Sequence, residues 1–451
     1  IVFVELWLFI SVLGLVIAVI FAMYPEAVLP VWCEVFIALY LGHAIYKKGK
    51  NIITWSVIAV VLMYVTVIIG AYVPIKMPAI AGIPPTGVWT ILLLGYAFIA
   101  SILPVTTLLQ PRDFINSHQL MIVMVMLVIG VFVSAFFADL SMVAPAVQMT
   151  PAEAPPMWPF LFITIACGAI SGFHSLVSSG TSAKQVRYET DSLFVGYGSM
   201  LMEGALAILV IIAVAAGIGM GYVTQTGETL VGTAAWTSHY SSWAAAQGLG
   251  SKVMAFVDGS ANMIASYGVP GHIAVIIMGV FVASFAGTSL DTATRIQRYI
   301  LSEMFENVKL TALTGKYVST FFAVGTALLL AFATGPSGNG ALKLWPLLGA
   351  VNQTLAGLAL IIMTVYLKDK GRMKWLITGI PALFMMVMTI WALILNQGSF
   401  GTAHNTLLQV VNAIILILAV WITVEGILRF ASVTPGEGFQ KTDKTLAGDD
   451  A

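Results

Sequence analysis

The sequence predicts an all-α polytopic membrane protein, and three observations carry that prediction. Apolar residues fill 59% of the 451 positions and charged residues only 9%, against roughly 45–50% and 25% in soluble domains. The apolar residues gather into about twelve segments, each near the ~20 residues that cross a hydrocarbon layer of roughly 30 Å. All but Lys76, Lys252 and Lys343 of the 20 Lys and Arg residues fall into alternate gaps between these segments or after the last one.

The segments lie near 2–23, 27–46, 52–73, 88–109, 118–138, 159–178, 192–222, 272–290, 317–334, 344–367, 375–396 and 407–430. Lys and Arg resist translocation and collect in cytoplasmic loops. Lys47, Lys48 and Lys50 follow the second segment, Arg112 the fourth, Lys184 and Arg187 the sixth, and Arg295, Arg298, Lys309 and Lys316 the eighth. Lys368, Lys370, Arg372 and Lys374 follow the tenth, and Arg429, Lys441 and Lys444 close the chain. Both ends of this chain are therefore expected in the cytoplasm. The membrane region is taken as 1–430, with 431–451 a polar, disordered cytoplasmic tail. Ile1 already sits in an apolar run, so the natural protein is expected to continue upstream.

In the first two segments, Glu5, Glu34 and His43 sit toward the ends, as does Glu425 in the last. Snorkelling or capping accounts for them. The fourth segment holds Pro104, which removes a backbone bond and permits a kink, before Gln110-Pro-Arg-Asp113 closes it.

The sixth segment runs on through a stripe of Ser171, His174, Ser175, Ser178, Thr181 and Ser182 at helical spacing. Unpartnered hydroxyl and imidazole groups cost several kcal/mol in hydrocarbon, so the stripe faces protein or water. It either packs, with Gly168 and Gly172 as a GxxxG surface, or lines a pathway as a loosened helix whose free ends bind solute. In the seventh segment, Glu203 falls near mid-membrane, where an ionised carboxylate costs at least ~2.5–3.5 kcal/mol. It is a protonated hydrogen bonder or the carboxyl that couples protons to transport. Gly217-Ile-Gly-Met-Gly221 reads as packing. The long outer segment from 223 to 271 lies on the membrane or caps a vestibule, with Trp236 and Trp243 as interface anchors.

The eighth segment ends with Ser284, Thr288, Asp291 and Arg295 on one face. Asp291 precedes Arg295 by one turn, the order that favours an intrahelical ion pair. That pair either caps the cytoplasmic end or takes part in gating or solute binding. The tenth segment carries Asn352 and Gln353 among Gly349, Ala350, Ala356 and Gly357, for which interhelical glue is the default.

Zero net charge and the lack of a basic patch interleaved with aromatics argue against nucleic acid. Cys33 and Cys167 join no CxxC or Cys/His cluster, so no metal or cofactor is expected. HExxH and GxSxG are absent, which counts against an embedded enzyme, and no soluble output domain follows the last segment, which counts against a nutrient sensor. No P-loop is present for direct ATP drive.

Four stretches together resemble the carbon starvation protein A family: Gln110-Pro-Arg-Asp-Phe114, Gly172-Phe-His-Ser-Leu-Val-Ser-Ser-Gly-Thr-Ser-Ala-Lys-Gln-Val186, Ser289-Leu-Asp-Thr-Ala-Thr-Arg-Ile-Gln-Arg-Tyr299 and Trp345-Pro-Leu-Leu-Gly-Ala-Val-Asn-Gln-Thr-Leu-Ala356. The resemblance implies a bacterial inner-membrane transporter for peptides or pyruvate during nutrient shortage, proton-coupled in some relatives, on a LeuT-like inverted-repeat core. It further implies an upstream Gly-rich membrane region that this chain does not contain. His174, Ser175, Ser178, Ser179, Thr181, Asp291 and Arg295 lie in the matched stretches and are expected at the solute site, with Thr288, Asn352 and Gln353 beside them. Glu203 or His174 is expected to carry the proton, and Arg295, Lys184 or helix ends to balance a solute carboxylate.

Overall fold

The computed structural model describes residues 1–147, 154–224, 227–242 and 248–433. The chain forms α1 (Val2–Met23), α2 (Val28–Gly42), α3 (Ile52–Tyr72), α4 (Pro85–Ile102), α5 (Leu109–Phe137), α6 (Met157–Ala169), α7 (Gly172–Gly180), α8 (Asp191–Leu193) and α9 (Ser199–Ala215). A hairpin of β1 (Tyr222–Val223) and β2 (Thr229–Leu230) pairs antiparallel. The remainder is α10 (Thr233–His239), α11 (Leu249–Ala265), α12 (Gly271–Asn307), α13 (Lys316–Phe332), α14 (Trp345–Asp369), α15 (Leu376–Thr402) and α16 (Thr406–Ser432).

Local chemistry sets several of these boundaries. The Asn51 side chain accepts from the Ile53 and Thr54 amides at the start of α3, and Asn405 accepts from Leu408 at the start of α16. Pro85 opens α4 where its missing N–H costs nothing. Leu103, before Pro104, is extended and ends that helix. The expected kink within 88–109 is thus a full stop, and the chain turns before α5 begins.

Ten helical segments among the described residues are long and apolar enough to cross a membrane, which makes the chain an all-α polytopic membrane protein. The helix over Lys316–Phe332 is shorter. The sixth predicted segment, 159–178, is not one helix: extended backbone at Ser171 (φ −120°, ψ 135°) separates α6 from α7. The outward sides of α3, α5 and α16 show large apolar side chains, among them Ile53, Val61, Ile68, Phe132, Ile417 and Ile427. Such rows are a liability in water and are stable against lipid.

The chain divides into two compact units. The larger comprises Trp7–Ala154 and Gly198–Ala341, and α12 is its axis, packed by α2, α3, α4, α5, α11 and α13. Small buried residues on α12, namely Ala274, Gly279, Ala283, Ala286 and Gly287, let these neighbours approach. At 37 residues α12 is about 55 Å long, so the predicted segment 272–290 continues well past its expected end. Arg295 and Arg298 are buried helix residues, not loop charges. Arg112 lies in the first turns of α5 and is likewise buried. These three belong to the packing of the unit and leave the count of loop cations that sets orientation.

The described part of 217–271 in this unit is also more packed than expected. The buried side of α11 meets α5, α9 and α12. Gly217 and Gly259 touch backbone to backbone, with no room for a Cβ on either. Trp236, expected as an interface anchor, packs its partly buried side chain on a small core of Ile218, Tyr222, Ala235 and Ala255. Trp243 lies outside the described residues, as does most of the expected tail.

The smaller unit comprises Ile1–Leu6, Pro155–Tyr197 and the described part of Leu342–Ala451. Its axis is α14, packed by α6, α7, α15 and α16. Close approach is again made by glycines, with Gly357 under the Met386 sulfur and Gly426 against Ile361. Of the expected GxxxG pair, Gly172 meets the Asn352 carbonyl and Leu355, whereas Gly168 is exposed.

Candidate functional site: a buried ion cluster and a divided helix

In the larger unit, four helices bring ionisable side chains to one buried point. Glu34 from α2, Arg112 from α5 and Asp291 from α12 are exposed by 0%, 1% and 2%, and Tyr96 from α4 joins them. The Arg112 Nε donates to Glu34 Oε1 at 3.1 Å, and its Nη1 donates to Asp291 Oδ2 at 2.9 Å. Tyr96 donates to the same Asp291 oxygen at 2.7 Å and accepts from Arg112 Nη1 at 2.7 Å. The Trp32 ring stands edge-on to Tyr96 at 5.6 Å and fixes its plane. Ser284 donates to the other Glu34 oxygen. One turn along α12, Thr288 accepts from Asn116 Nδ2 and donates to the Ser284 carbonyl.

Electrostatics make this arrangement costly without a counter-charge. Two carboxylates face one guanidinium, and Asp113 beside Arg112 adds a third carboxyl whose Oδ1 is buried with no hydrogen-bond partner among the described residues. A buried ion pair repays its desolvation only when its geometry is good and its remaining lone pairs are met. Glu34 meets that condition, with both oxygens engaged. Asp291 does not, because its Oδ1 is buried with no hydrogen-bond partner among the described residues. Glu34 and Asp291 alone leave the group one positive charge short, an ionised Asp113 would make it two, and protons supply the deficit most simply.

A small cavity opens on the cluster, lined by Ile17, Trp32, Leu93, Tyr96, Arg112 and Gly287 among others. It has room for about one water. A Cβ at residue 287 would overlap the Arg112 Nη2, so only glycine admits the guanidinium there.

Sequence reasoning placed these residues unevenly. Asp291 is central, but its partner is Arg112 on another helix and not Arg295. Arg295 instead donates to the Ala100 and Leu103 carbonyls at 3.3 and 2.6 Å, and Arg298 to Ser101 at 3.0 Å. Together they satisfy the carbonyls that α4 leaves open where Pro104 stops it. Glu34 and Glu5 do not snorkel, since both are fully buried. Glu425 does lie at an exposed edge, paired with Arg429 at 3.2 Å. Arg112, Tyr96, Glu34 and Asn116 were missed as site residues. The available signal was a carboxylate at Glu34 well inside an apolar segment and an Arg-Asp pair directly after a proline.

In the smaller unit, the remaining expected residues gather around the gap between α6 and α7. Asn352 Oδ1 accepts from the Phe173 amide at 2.8 Å and from the Ser171 hydroxyl at 3.2 Å. It thereby satisfies an amide that the helix break sets free. Gln353 reaches the Ile163 carbonyl of α6 at 3.5 Å. The default of interhelical glue for Asn352 thus takes a definite form, holding the two halves of a divided helix. Ser175 and Ser179 bond back to the Gly172 and Ser175 carbonyls at 2.6 and 2.9 Å. His174 and Thr181 are half-buried and Ser178 is exposed. Glu203 lies on α9 of the larger unit, half-buried and not a member of the Glu34–Arg112–Asp291 cluster.

Outside the candidate spans, Asp258 on α11 accepts from the Tyr24 hydroxyl at 3.4 Å. Burial pushes its carboxyl up to about 6, and the tyrosine hydrogen bond offsets part of that rise.

The model for the carbon starvation protein CstA family matches residues 1–392. The chain is 32% identical over 397 residues to a peptide transporter CstA of Helicobacter pylori, covering 80% of this chain and 57% of that protein. It is 31% identical over 449 residues to the pyruvate/proton symporter BtsT of Escherichia coli, covering 85% and 61%. A peptide transporter CstA of Mycobacterium tuberculosis is 31% identical over 436 residues, with 85% and 56% covered. The chain therefore spans somewhat over half the length of these relatives. No solved structure matches it.

Proposed function

The chain belongs to the carbon starvation protein CstA family, and from that premise we propose that it forms the core of a secondary active transporter. The transporter takes up a small carboxylate-bearing nutrient, a peptide or pyruvate, together with protons during carbon starvation. It sits in the bacterial inner membrane with both ends of this chain in the cytoplasm, on a LeuT-like core of about twelve helices. The names of the relatives supply both solute classes, since one is a peptide transporter and another a pyruvate/proton symporter.

The observation that carries the coupling is the buried cluster of Glu34, Arg112 and Asp291. Ionisable residues inside an apolar helical unit are expensive, and they are kept where a proton or solute needs them. The cluster offers a carboxyl with one unmet oxygen and a charge deficit that a proton fills. Glu203 is the second candidate for the proton, and His174 the third. The divided helix α6/α7 of the smaller unit supplies a separate set of solute-binding groups in this reading, namely His174, Ser175, Ser178, Ser179 and Thr181, with Asn352 and Gln353 bracing the break.

Uptake of labelled pyruvate and of a labelled dipeptide into proteoliposomes of the full-length protein tests the reading. An inward proton gradient is expected to accelerate uptake of one of them. Glu203→Gln is expected to keep that acceleration, because the proton is carried at the cluster. Loss of acceleration in Glu203→Gln would move the proton to Glu203. Uptake of neither solute, or uptake indifferent to the gradient, would overturn proton-coupled transport.

A further inference from the structure

The geometry points to Arg112 as the residue that binds the solute carboxylate, in exchange for the Asp291 carboxylate it holds in the empty cluster. The inference rests on the transport reading above and deepens it by naming the binding group and the solute class.

The guanidinium has a fixed side and an exchangeable side. Its Nε is committed to Glu34, whose second oxygen is tied by Ser284, so this contact is saturated. Its Nη1 is held by Asp291 and Tyr96. Its Nη2 donates to no protein atom among the described residues, and it lies against Gly287 on the wall of the cavity. A planar guanidinium with Nη2 free and Nη1 released once Asp291 is protonated presents the fork that a carboxylate takes in bidentate fashion.

Asp291 is the partner that can leave. Among the described residues only its Oδ2 is engaged, while Oδ1 is buried with no partner. The titratable groups acting on it are Arg112, Tyr96, Glu34 and Asp113. With three carboxyls and one guanidinium in one buried group, a proton entering from the aqueous side neutralises Asp291 and loosens its hold on Nη1. An incoming solute carboxylate then takes Nη1 and Nη2. No covalent bond is made or broken beyond the proton transfer to the Asp291 carboxylate. The charge of the cluster is unchanged, because one proton and one anion arrive together.

The surroundings name the solute class. The cavity walls beyond Arg112 and Tyr96 are Ile17, Val31, Trp32, Val35, Leu93 and Ala283. With room for about one water, plus what the Asp291 side chain vacates, the site suits a compact monocarboxylate with an uncharged body. A zwitterionic dipeptide would bring an ammonium against apolar walls. Pyruvate is therefore the better fit of the two solutes.

Binding of labelled pyruvate to the purified full-length protein at neutral pH tests the exchange. Asp291→Asn removes the competing carboxylate and is expected to tighten binding by about tenfold or more, since a charge-assisted contact no longer has to be displaced. A purely structural Arg112–Asp291 pair predicts the opposite sign, and unchanged or weaker binding in Asp291→Asn would overturn the proposal. Arg112→Lys, which keeps the charge and loses the fork, is expected to weaken binding by a similar factor. Infrared difference spectra of the unmodified protein need no variant: adding pyruvate is expected to produce a protonated-carboxyl band, and pyruvamide is not. Absence of that band would sink the proposal even if both variants failed to fold. Wild-type protein that transports pyruvate without tightening in Asp291→Asn removes this inference alone, whereas wild-type protein that takes up neither pyruvate nor a dipeptide removes the transport reading with it.

Discussion

Arg112 is the residue whose removal the cluster tolerates least. Arg112→Ala leaves Glu34 and Asp291 buried without a counter-charge, and the expected loss is about 3–5 kcal/mol. Thermal unfolding in detergent should show a much lower midpoint, and Arg112→Ala/Asp291→Ala should recover part of the loss because one orphaned charge goes with its partner. A midpoint for Arg112→Ala equal to wild type would mean that the cluster is not buried as described. Asp258 behaves differently. Its carboxyl, pushed up to about 6 by burial, stays protonated in the folded protein at pH values where the unfolded chain has already ionised. Stability from this residue is full below about pH 4 and falls as pH rises toward 6. Asp258→Asn should flatten that part of the stability profile, and an unchanged slope would remove Asp258 as its cause. At this scale the sequence was legible in part. Asp291 stood out because its spacing on one helix face was visible. Arg112 and Glu34 did not, because their partners lie 78 and 179 positions apart along the chain and only packing brings them together.

Among the elements, the division of α6 from α7 was half visible. A Gly- and Ser-rich run with a polar stripe left packing and a loosened helix both open, and the backbone breaks at the extended Ser171. The role of Asn352 as the brace across the gap was not visible, since Asn in an apolar helix reads equally well as any interhelical contact. Asn352→Ala should free the Phe173 amide and cost about 1–3 kcal/mol. Hydrogen exchange at Phe173 should speed up accordingly, and unchanged protection would show that the break holds itself. The end of α4 was misread for a related reason. A proline inside an apolar run marks a kink or a stop, and the choice was made by Arg295 and Arg298 on α12, whose guanidinia accept the cost of ending the helix by capping its carbonyls. Those same two cations had been counted as loop charges. Nothing local distinguishes a buried arginine that caps a neighbouring helix from a solvated one.

For the whole molecule, composition and the spacing of apolar segments were enough to read the class, because no water-soluble fold hides so much apolar surface. The orientation rests on the remaining loop cations. Single-cysteine labelling should place Lys48 and Lys309 on the cytoplasmic side and Lys76 on the other. Lys48 and Lys309 on opposite sides would break the assigned topology. The proposed exchange of an anion plus a proton at one site also fixes how transport should respond to its two driving forces. Pyruvate uptake should follow the pH difference across the membrane and stay indifferent to an imposed electrical potential at constant pH, since the loaded and empty clusters carry the same charge.

The most direct measurement of that central claim is proton flux counted alongside pyruvate flux in proteoliposomes. The luminal pH and the labelled solute are followed together for wild type and Asp291→Asn. Wild type should move protons in step with pyruvate, and the variant should exchange pyruvate across the membrane with no accompanying acidification. Protons moving with pyruvate in the variant at the wild-type ratio would contradict the account.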